Sequence, residues 1–202
     1  MEFFLVRHGQ SEDNVTGTIS GHNAAPLTEL GRIQAANLGQ TLLAMDSPID
    51  IVYSSDLARA SETASIICNV LGIQEIRYDD RLREGDAGIF TGRCVNDLTD
   101  DEKEIFDNII VDLDSRIPGG ESTNEQFSRT REAFLEIVKS HPEDTALLLV
   151  GHGGTLYHIL IRTLELLPPK MNEWFGNCQL QVIERSSSDD PWKLTMFNSR
   201  AL

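Results

Sequence analysis

The sequence has few cysteines and no long apolar run. Its three cysteines (Cys68, Cys94 and Cys178) are odd in number and scattered, without the close spacing typical of metal sites. We therefore expect reduced thiols in a cytoplasmic protein. No stretch approaches the roughly 20 apolar residues that span a bilayer, and no basic region followed by a long apolar stretch marks a signal peptide. We expect no membrane partner.

Positive charge is also scarce. The 202 residues include 17 lysines and arginines against 32 aspartates and glutamates, which gives a formal net charge of −15. This balance argues against nucleic acid and anionic membrane surfaces as partners, because both carry dense negative charge. The length suits one domain with a sizeable core and is short for two, so we expect a single domain over residues 1–202.

The acidic excess is concentrated in one segment. Residues 97–114 contain eight acidic residues and a single base, Lys103, which is a local charge of −7. Charge runs are usually solvated surface, and a solvated insertion is the simpler interpretation. The alternative is an acidic lid that influences which substrates enter.

Short apolar runs alternate with helical patterns, which predicts an α/β fold with a mostly parallel sheet. The predicted strands are 2–7, 49–53, 74–78, 145–150, 179–184 and 192–197, and the last two should form a terminal hairpin. The predicted helices are 29–45, 56–71, 123–139 and 154–166. Residues 93–121 interrupt the alternation. We interpret them as an insertion that caps the site and not as a separate domain.

Two histidines follow apolar strands in corresponding positions. Arg7-His8-Gly9 follows the run 3–6, and His152-Gly153-Gly154 follows the run 147–150 after one glycine. Ligands of open α/β sheets bind at the carboxyl ends of the strands, so histidines this far apart in sequence can meet at one site. The glycines beside them allow the backbone to approach a ligand and leave amide N–H groups available to an anion.

Six blocks of residues carry a family resemblance, in family order and almost from end to end. They are Leu5–Asn14, Pro26–Ala35, Ser54–Ala64, Leu82–Gly92, Pro118–Ser122 and Val150–Gly154. Together they resemble the signature of the histidine phosphatase superfamily, in its phosphoglycerate mutase-like branch. The resemblance implies a three-layer α/β/α fold in a single histidine phosphatase domain, with the cap insertion at about 93–121.

The resemblance also implies roles for individual residues. His8 would be the nucleophile, since a neutral imidazole nitrogen can attack phosphorus and divide hydrolysis into two easier steps. Arg7 and Arg59 would clamp the phosphoryl group, whose oxygens suit the guanidinium fork. The remaining substrate-binding residues that it implies are Asn14, Gly21, His152 and Gly153.

Proton transfer needs a carboxyl group, and the resemblance assigns it to Glu84. One carboxyl with a raised pKa can give a proton to the leaving oxygen and then activate water. Asp86 is the local rival, because it is equally near in sequence.

The leading functional prediction is a metal-independent phosphomonoesterase that acts on a small phosphorylated metabolite and needs no cofactor. The runner-up, with the same phosphohistidine, is a 2,3-bisphosphoglycerate-dependent phosphoglycerate mutase. Such an enzyme would need more lysines and arginines around the entrance of the active site. Two other classes are a metallohydrolase built on His8, His152 and carboxylates, and a binding module without turnover. No short-range ligand pairs favour the first, and the complete set of phosphatase residues argues against the second. Homodimer formation stays open.

Overall fold

A mixed β-sheet forms the centre of the molecule. The computed structural model describes residues 1–45, 48–167 and 175–201. Within these ranges the sheet has seven strands in the order β3-β2-β4-β1-β5-β6-β7. The strands are β1 (Glu2–Arg7), β2 (Ile51–Ser54), β3 (Arg77–Tyr78), β4 (Ala146–Gly151), β5 (Leu180–Glu184), β6 (Lys193–Phe197) and β7 (Arg200–Ala201).

Helices alternate with the strands along the chain. They are α1 (Glu12–Thr16), α2 (Glu29–Ala44), α3 (Ala58–Leu71), α4 (Asp100–Val111), α5 (Thr123–Ser140) and α6 (Gly153–Tyr157), and α6 continues as a π-helical turn over His158–Thr163. In the described parts of the chain, none of these helices is long and apolar enough to cross a membrane.

The central strands bury both faces, which creates three layers. In β1, Phe4 and Val6 pack into a core with α2 and α3 on one side of the sheet. Phe3 and Leu5 point the other way, into a core with Phe134 of α5 and with residues of α6. Successive side chains of a strand point to opposite faces, so a continuous apolar run marks a strand that is covered twice. The predicted three-layer α/β/α fold class is confirmed.

The strand directions place the ends of β1, β2 and β4 at one edge. β4 pairs in parallel with both β1 and β2, and β2 pairs in parallel with β3. The later strands β5, β6 and β7 add antiparallel pairs, and β5 with β6 forms the predicted terminal hairpin. Arg7 lies opposite Gly151 in the register of β1 and β4. Consequently the residues that follow these strands, His8 and His152, start from neighbouring positions.

A close approach of two backbones fixes the loop after β1. A Cβ atom on Gly31, in the first turn of α2, would lie 2.1 Å from the carbonyl oxygen of Gln10. A Cβ atom on Gly9 would lie 2.5 Å from the carbonyl oxygen of Gly31. Only glycine fits at either position, because the clashing atoms belong to backbone and have little freedom to move. The start of α2 thereby holds the backbone that carries His8.

Some predicted elements differ from the structure. Helix α4 lies inside the 93–121 segment, where no helix was predicted, and begins with a capping box between Thr99 and Glu102. Strand β3 covers only Arg77–Tyr78 of the predicted 74–78, at the sheet edge. The last predicted helix leaves α-geometry at His158, whose carbonyl accepts a hydrogen bond from Thr163 Oγ1 at 2.8 Å.

The 93–121 segment packs on the body of the domain through its own small core. Leu98 and Ile117 from the segment are buried there against Ile19 and Phe90. Phe106 and Ile109, one turn apart on α4, add their partly buried faces to this cluster. The acidic residues of α4 therefore occupy a helix whose apolar side faces the domain.

Candidate active site

The carboxyl edge of the sheet brings the two histidines of the strand ends together. The ring centroids of His8 and His152 lie 5.2 Å apart. Both rings are buried. A backbone hydrogen bond from His8 to the carbonyl of Gly151, 3.0 Å long, joins the two strand ends directly. The prediction that these distant histidines share one site is confirmed in its geometry.

One ring nitrogen of His8 is committed to the backbone. Its Nδ1 lies 2.7 Å from the carbonyl oxygen of Gly9. A carbonyl oxygen only accepts hydrogen bonds, so Nδ1 carries the hydrogen. In the neutral ring this leaves a lone pair on Nε2, and Nε of Arg59 donates to that atom at 3.2 Å. The ring thus presents a basic nitrogen toward a fixed positive charge, which is the arrangement a phosphoryl-accepting nucleophile needs.

Arg59 is a fully buried guanidinium in the first turn of α3. A cation there opposes the helix dipole, so the position does not serve helix stability. Its Nη1 donates to the carbonyl of Asn23 at 3.1 Å, and its Nη2 to the carbonyl of Gly21 at 2.9 Å. With the bond to His8, these contacts use three of the five guanidinium N–H groups. Two N–H groups are left to meet an anion.

Arg7 and His152 supply further donors. Nη1 of Arg7 donates to the carbonyl of Phe175 at 2.8 Å. In the described part of the molecule, Nε of Arg7 and Nδ1 of His152 are buried without a hydrogen-bond partner. Buried polar atoms are rarely left unsatisfied, because each such atom costs roughly 1–3 kcal/mol. Two of them beside the same histidine are expected of a site that binds an oxyanion.

The ring of His152 contacts Ser55, which follows β2. The hydroxyl oxygen of Ser55 accepts from the Leu57 amide at 3.3 Å, and Nε2 of His152 lies 2.9 Å from the same oxygen. When the hydroxyl group donates to Nε2, the ring hydrogen lies on Nδ1, and the neutral His152 offers that Nδ1–H group to a ligand.

Both histidines are held in their neutral forms. Burial lowers the pKa of His8 well below its usual range, and the charges of Arg59 and Arg7 lower it further. Burial and Arg59 likewise lower the pKa of His152. At neutral pH the free site therefore contains two guanidinium charges and two uncharged imidazoles. A protonated His152 is therefore disfavoured in this state.

Glu84 faces this group of cations and donors. Its Oε1 accepts hydrogen bonds from the Gly85 amide at 3.0 Å and from Nε2 of Gln126 at 2.9 Å. Its Oε2 accepts from the Gly154 amide at 3.3 Å. A Cβ atom on Gly153 would lie 3.9 Å from both Arg7 Nε and Glu84 Oε2, so the cation and the carboxylate both lie close to Gly153.

The expectation of a raised pKa for Glu84 is wrong for the free site. Burial raises the pKa of Glu84, but the hydrogen bonds from Gln126 and Gly85, the charge of Arg59 and the bond from Gly154 outweigh burial. The pKa is lowered overall, because every donor stabilises the ionised form. The Gly154 amide, expected to be available to an anion, is already engaged by this carboxylate.

The other predicted ligands lie at the rim. Oδ1 of Asn14 accepts from the Ser11 amide at 3.1 Å as part of the α1 capping box, and from Nδ2 of Asn177 at 3.1 Å. Asn177 also donates to the carbonyl of His8 at 2.9 Å, which ties Asn14 to the backbone of His8. Gly21 takes part through its carbonyl group, which anchors Arg59.

The rival carboxylate Asp86 has different partners. Its Oδ1 accepts from the Gly88 amide at 2.9 Å, and its Oδ2 lies 3.7 Å from Nδ1 of His22. His22 in turn contacts the carbonyl of Glu84 through Nε2 at 2.9 Å. Asp86 is thus bound into its own loop, while Glu84 contacts the elements that carry the phosphate-site residues.

Two contributors lie on α5 and were missed from the sequence. Gln126 is buried and bonds to Glu84 across 42 residues of sequence. Arg129, one turn later, donates to the carbonyls of Arg81, Arg83 and Glu84, each at 2.8 Å, and forms an ion pair with Glu121. Ser122 and Glu125 form a capping box at the start of α5. No local pattern marks which side chains of this helix reach the site.

Across the described ranges, no three His, Cys, Asp or Glu side chains are grouped so that they could hold a metal ion. The positive charge at the site comes from Arg7 and Arg59, which flank His8.

Known proteins match this chain along almost its full length. At the sequence level, a protein named Probable phosphoglycerate mutase GpmB from Salmonella choleraesuis is 36% identical over 191 residues, which cover 93% of this chain and 86% of that protein. Among solved structures, a mycobacterial glucosyl-3-phosphoglycerate phosphatase in complex with VO3 superposes with a TM-score of 0.82 at 30% identity, covering 98% of each chain. The alpha-ribazole phosphatase from Shigella flexneri superposes with a TM-score of 0.84 at 27% identity, covering 100% of this chain and 98% of that one.

The family model for branch 1 of the histidine phosphatase superfamily matches residues 3–200. The match spans both strand-end histidines, both arginines and Glu84. The chain belongs to the histidine phosphatase superfamily, branch 1.

Proposed function

We propose that this protein hydrolyses a small phosphomonoester through a phosphohistidine on Nε2 of His8. The observation that carries the proposal is the set of hydrogen bonds made by the two ring nitrogens of His8. Its Nδ1 is committed to the Gly9 carbonyl, and its Nε2 lone pair lies beside the buried Arg59 guanidinium. A neutral, oriented nitrogen next to fixed positive charge combines a nucleophile with a site for a phosphate dianion.

The reaction proceeds in two balanced steps. In the first step, Nε2 forms a bond to phosphorus while the bond from phosphorus to the ester oxygen breaks, and Glu84 gives its proton to the departing alkoxide. In the second step, Glu84 accepts a proton from water as the water oxygen attacks phosphorus. The bond between phosphorus and Nε2 then breaks, which releases phosphate and returns His8 to its neutral form.

Charge balance supports a reaction without metal or cofactor. Arg7 and Arg59 contribute two positive charges, and a phosphomonoester dianion brings two negative charges. Guanidinium groups match phosphate oxygens in geometry and act on the transferring group as a metal ion otherwise would. In the described structure, the unpartnered Nε–H group of Arg7 and the unpartnered Nδ1 atom of His152 add hydrogen-bonding capacity without adding charge.

Glu84 must bind a proton before the first step, although its pKa is lowered in the free site. A phosphate dianion placed beside it adds negative charge and raises the pKa of the carboxyl group again. Substrate binding therefore favours protonation of Glu84. Loss of phosphate after the second step lowers the pKa of Glu84 again and favours release of its proton. The same carboxyl can serve as acid and then as base.

Hydrolysis is favoured over phosphoglycerate isomerisation by the charges of the 93–121 segment. A mutase must retain an intermediate with several negative charges while it reorients. Each cation of this segment is paired with a carboxylate: Arg93 with Glu102, Lys103 with Asp100, and Arg116 with Glu125. These pairs leave the segment strongly acidic, and its field repels a polyanion, most strongly at low salt.

The first prediction compares the two reactions in one preparation. With EDTA present, we expect phosphate release from phosphomonoesters to exceed conversion of 3-phosphoglycerate to 2-phosphoglycerate in the presence of 2,3-bisphosphoglycerate. Phosphate release and isomerisation are measured side by side by kcat/KM, and His8→Ala should abolish both. Isomerisation at least ten times faster than hydrolysis would instead favour the mutase, and activity that needs an added divalent ion would exclude the metal-free mechanism.

The second prediction concerns the proton donor. Glu84→Gln keeps the shape of the side chain but cannot donate a proton, so kcat for an alkyl phosphate should fall by roughly 10²–10⁴. The loss should be much smaller for p-nitrophenyl phosphate, whose leaving group hardly needs a proton. Asp86→Asn tests the rival carboxylate and should lower kcat for the alkyl phosphate less than Glu84→Gln does. Equal losses on both substrates, or a larger loss in the Asp86 variant, would reject Glu84 as the acid.

The third prediction concerns pH and Gln126, which we propose as a positioning residue for Glu84. Its amide stabilises the ionised carboxylate, so Gln126→Leu should raise the pKa of Glu84. Because the acid must be protonated in the enzyme–substrate complex, the alkaline limb of kcat against pH should move to higher pH. Vanadate inhibition should persist, since the phosphate ligands are unchanged. If the limb stays in place, or shifts equally when Glu84 is already Gln, Gln126 has no such role.

A further inference from the structure

A cavity of about 350 Å³ lies beside Glu84, between the body of the domain and the 93–121 segment. Its apolar wall consists of Ile19, Val95, Phe106, Ile109 and Ile117. Its polar wall includes Glu84, Asp86, Glu121 and Gln126. The volume lies near the lower end of the range of small-molecule sites, about 300–1,000 Å³, so it suits a compact organic group.

The cavity is continuous with the phosphate-binding residues. Glu84 lines it and also bonds to the Gly154 amide next to His152. Gly21 lines it and also anchors Arg59 through its carbonyl. The ester oxygen that receives the proton must lie at the Glu84 carboxyl group. The remainder of the leaving group therefore extends from that oxygen into the cavity.

The cavity offers no counter-charge to an anion. Among the described residues that line it there is no lysine or arginine. The nearby Arg129 is engaged by the Glu121 carboxylate and by three backbone carbonyls. Asp86 and Glu121 add carboxylates to the wall. A carboxylate on the leaving group would be desolvated next to like charge, which disfavours its binding in the cavity.

We infer that this cavity is the leaving-group subsite, and that it selects phosphomonoesters of uncharged alcohols with an apolar face over those with an anionic leaving group. The inference rests on the proposed hydrolysis. The apolar wall favours burial of hydrocarbon or ring surface, because that surface is removed from water. The carboxylates on the other wall can accept hydrogen bonds from hydroxyl or amide groups of such an alcohol.

The test uses substrate pairs that differ in one feature. Glycerol 3-phosphate and 3-phosphoglycerate differ by one carboxylate, and 2-phenylethyl phosphate and ethyl phosphate differ by one apolar ring. We expect kcat/KM to favour glycerol 3-phosphate over 3-phosphoglycerate by about tenfold or more. The phenylethyl ester should exceed the ethyl ester by a similar factor.

A single charge placed in the cavity should change this selectivity. Val95 lines the cavity and is 40% exposed, so Val95→Lys can add a cation without burying it completely. Val111→Lys is the matched control, because Val111 is 80% exposed on the same segment and is not among the lining residues. We expect Val95→Lys to reduce the preference for glycerol 3-phosphate by about tenfold and Val111→Lys to change it by less than about twofold.

Each outcome separates the subsite from the reaction itself. A wild-type preference for 3-phosphoglycerate, or equal effects of the two lysine variants, would overturn the subsite while turnover of p-nitrophenyl phosphate still upheld the phosphatase. No turnover of any monoester, p-nitrophenyl phosphate included, would overturn the phosphatase, and the subsite with it. Reduced selectivity in Val95→Lys alone, with both substrates turned over, is the result that the inference requires.

Discussion

The hydrogen bond between Nδ1 of His8 and the Gly9 carbonyl is the constraint on which the site depends. It fixes the ring hydrogen on Nδ1 and therefore the lone pair on Nε2, where Arg59 lies 3.2 Å away. The backbone that provides the carbonyl is held in turn by the contact of Gly9 with Gly31 at the start of α2. A loop with less support would let the ring change its tautomer or rotate. The packing of α2 thus helps to fix the orientation and the tautomer of the His8 ring.

Buried charge explains the rest of the arrangement. Arg59 is fully buried, and Arg7 lies nearby with an unpartnered Nε in the described structure. Burying cations without full compensation is costly, and such cost is usually found where it serves a ligand. The same two charges, together with burial, keep His8 neutral and hence nucleophilic. In the proposed reaction, one cationic cluster binds the anion and prepares the nucleophile, while Glu84 is tuned by the hydrogen bonds from Gln126, Gly85 and Gly154 and by the charge of Arg59 from the same cluster.

The sequence predicted the parts of this molecule that depend on local pattern. Continuous apolar runs indicated strands covered on both faces, and His8 and His152 at the ends of two such runs indicated a shared site. Helix α4 was not predicted, because the eight acidic residues of its segment were interpreted as a solvated insertion. Thr99 and Glu102 nevertheless form a capping box at its start. Gln126 could not be predicted, since nothing local indicates that a glutamine on α5 meets Glu84. The lowered pKa of Glu84 depends on those same long-range donors, so it too required the fold.

The most direct test of the central claim is to locate the phosphorus atom on the enzyme. The protein, labelled with ¹⁵N-histidine, is mixed with substrate, quenched in base and digested, and the phosphopeptide is examined for ³¹P–¹⁵N coupling. The structure predicts one adduct, on the peptide that contains His8, with phosphorus bonded to Nε2. Phosphorus on Nδ1, an adduct on another residue, or no adduct during turnover would contradict it.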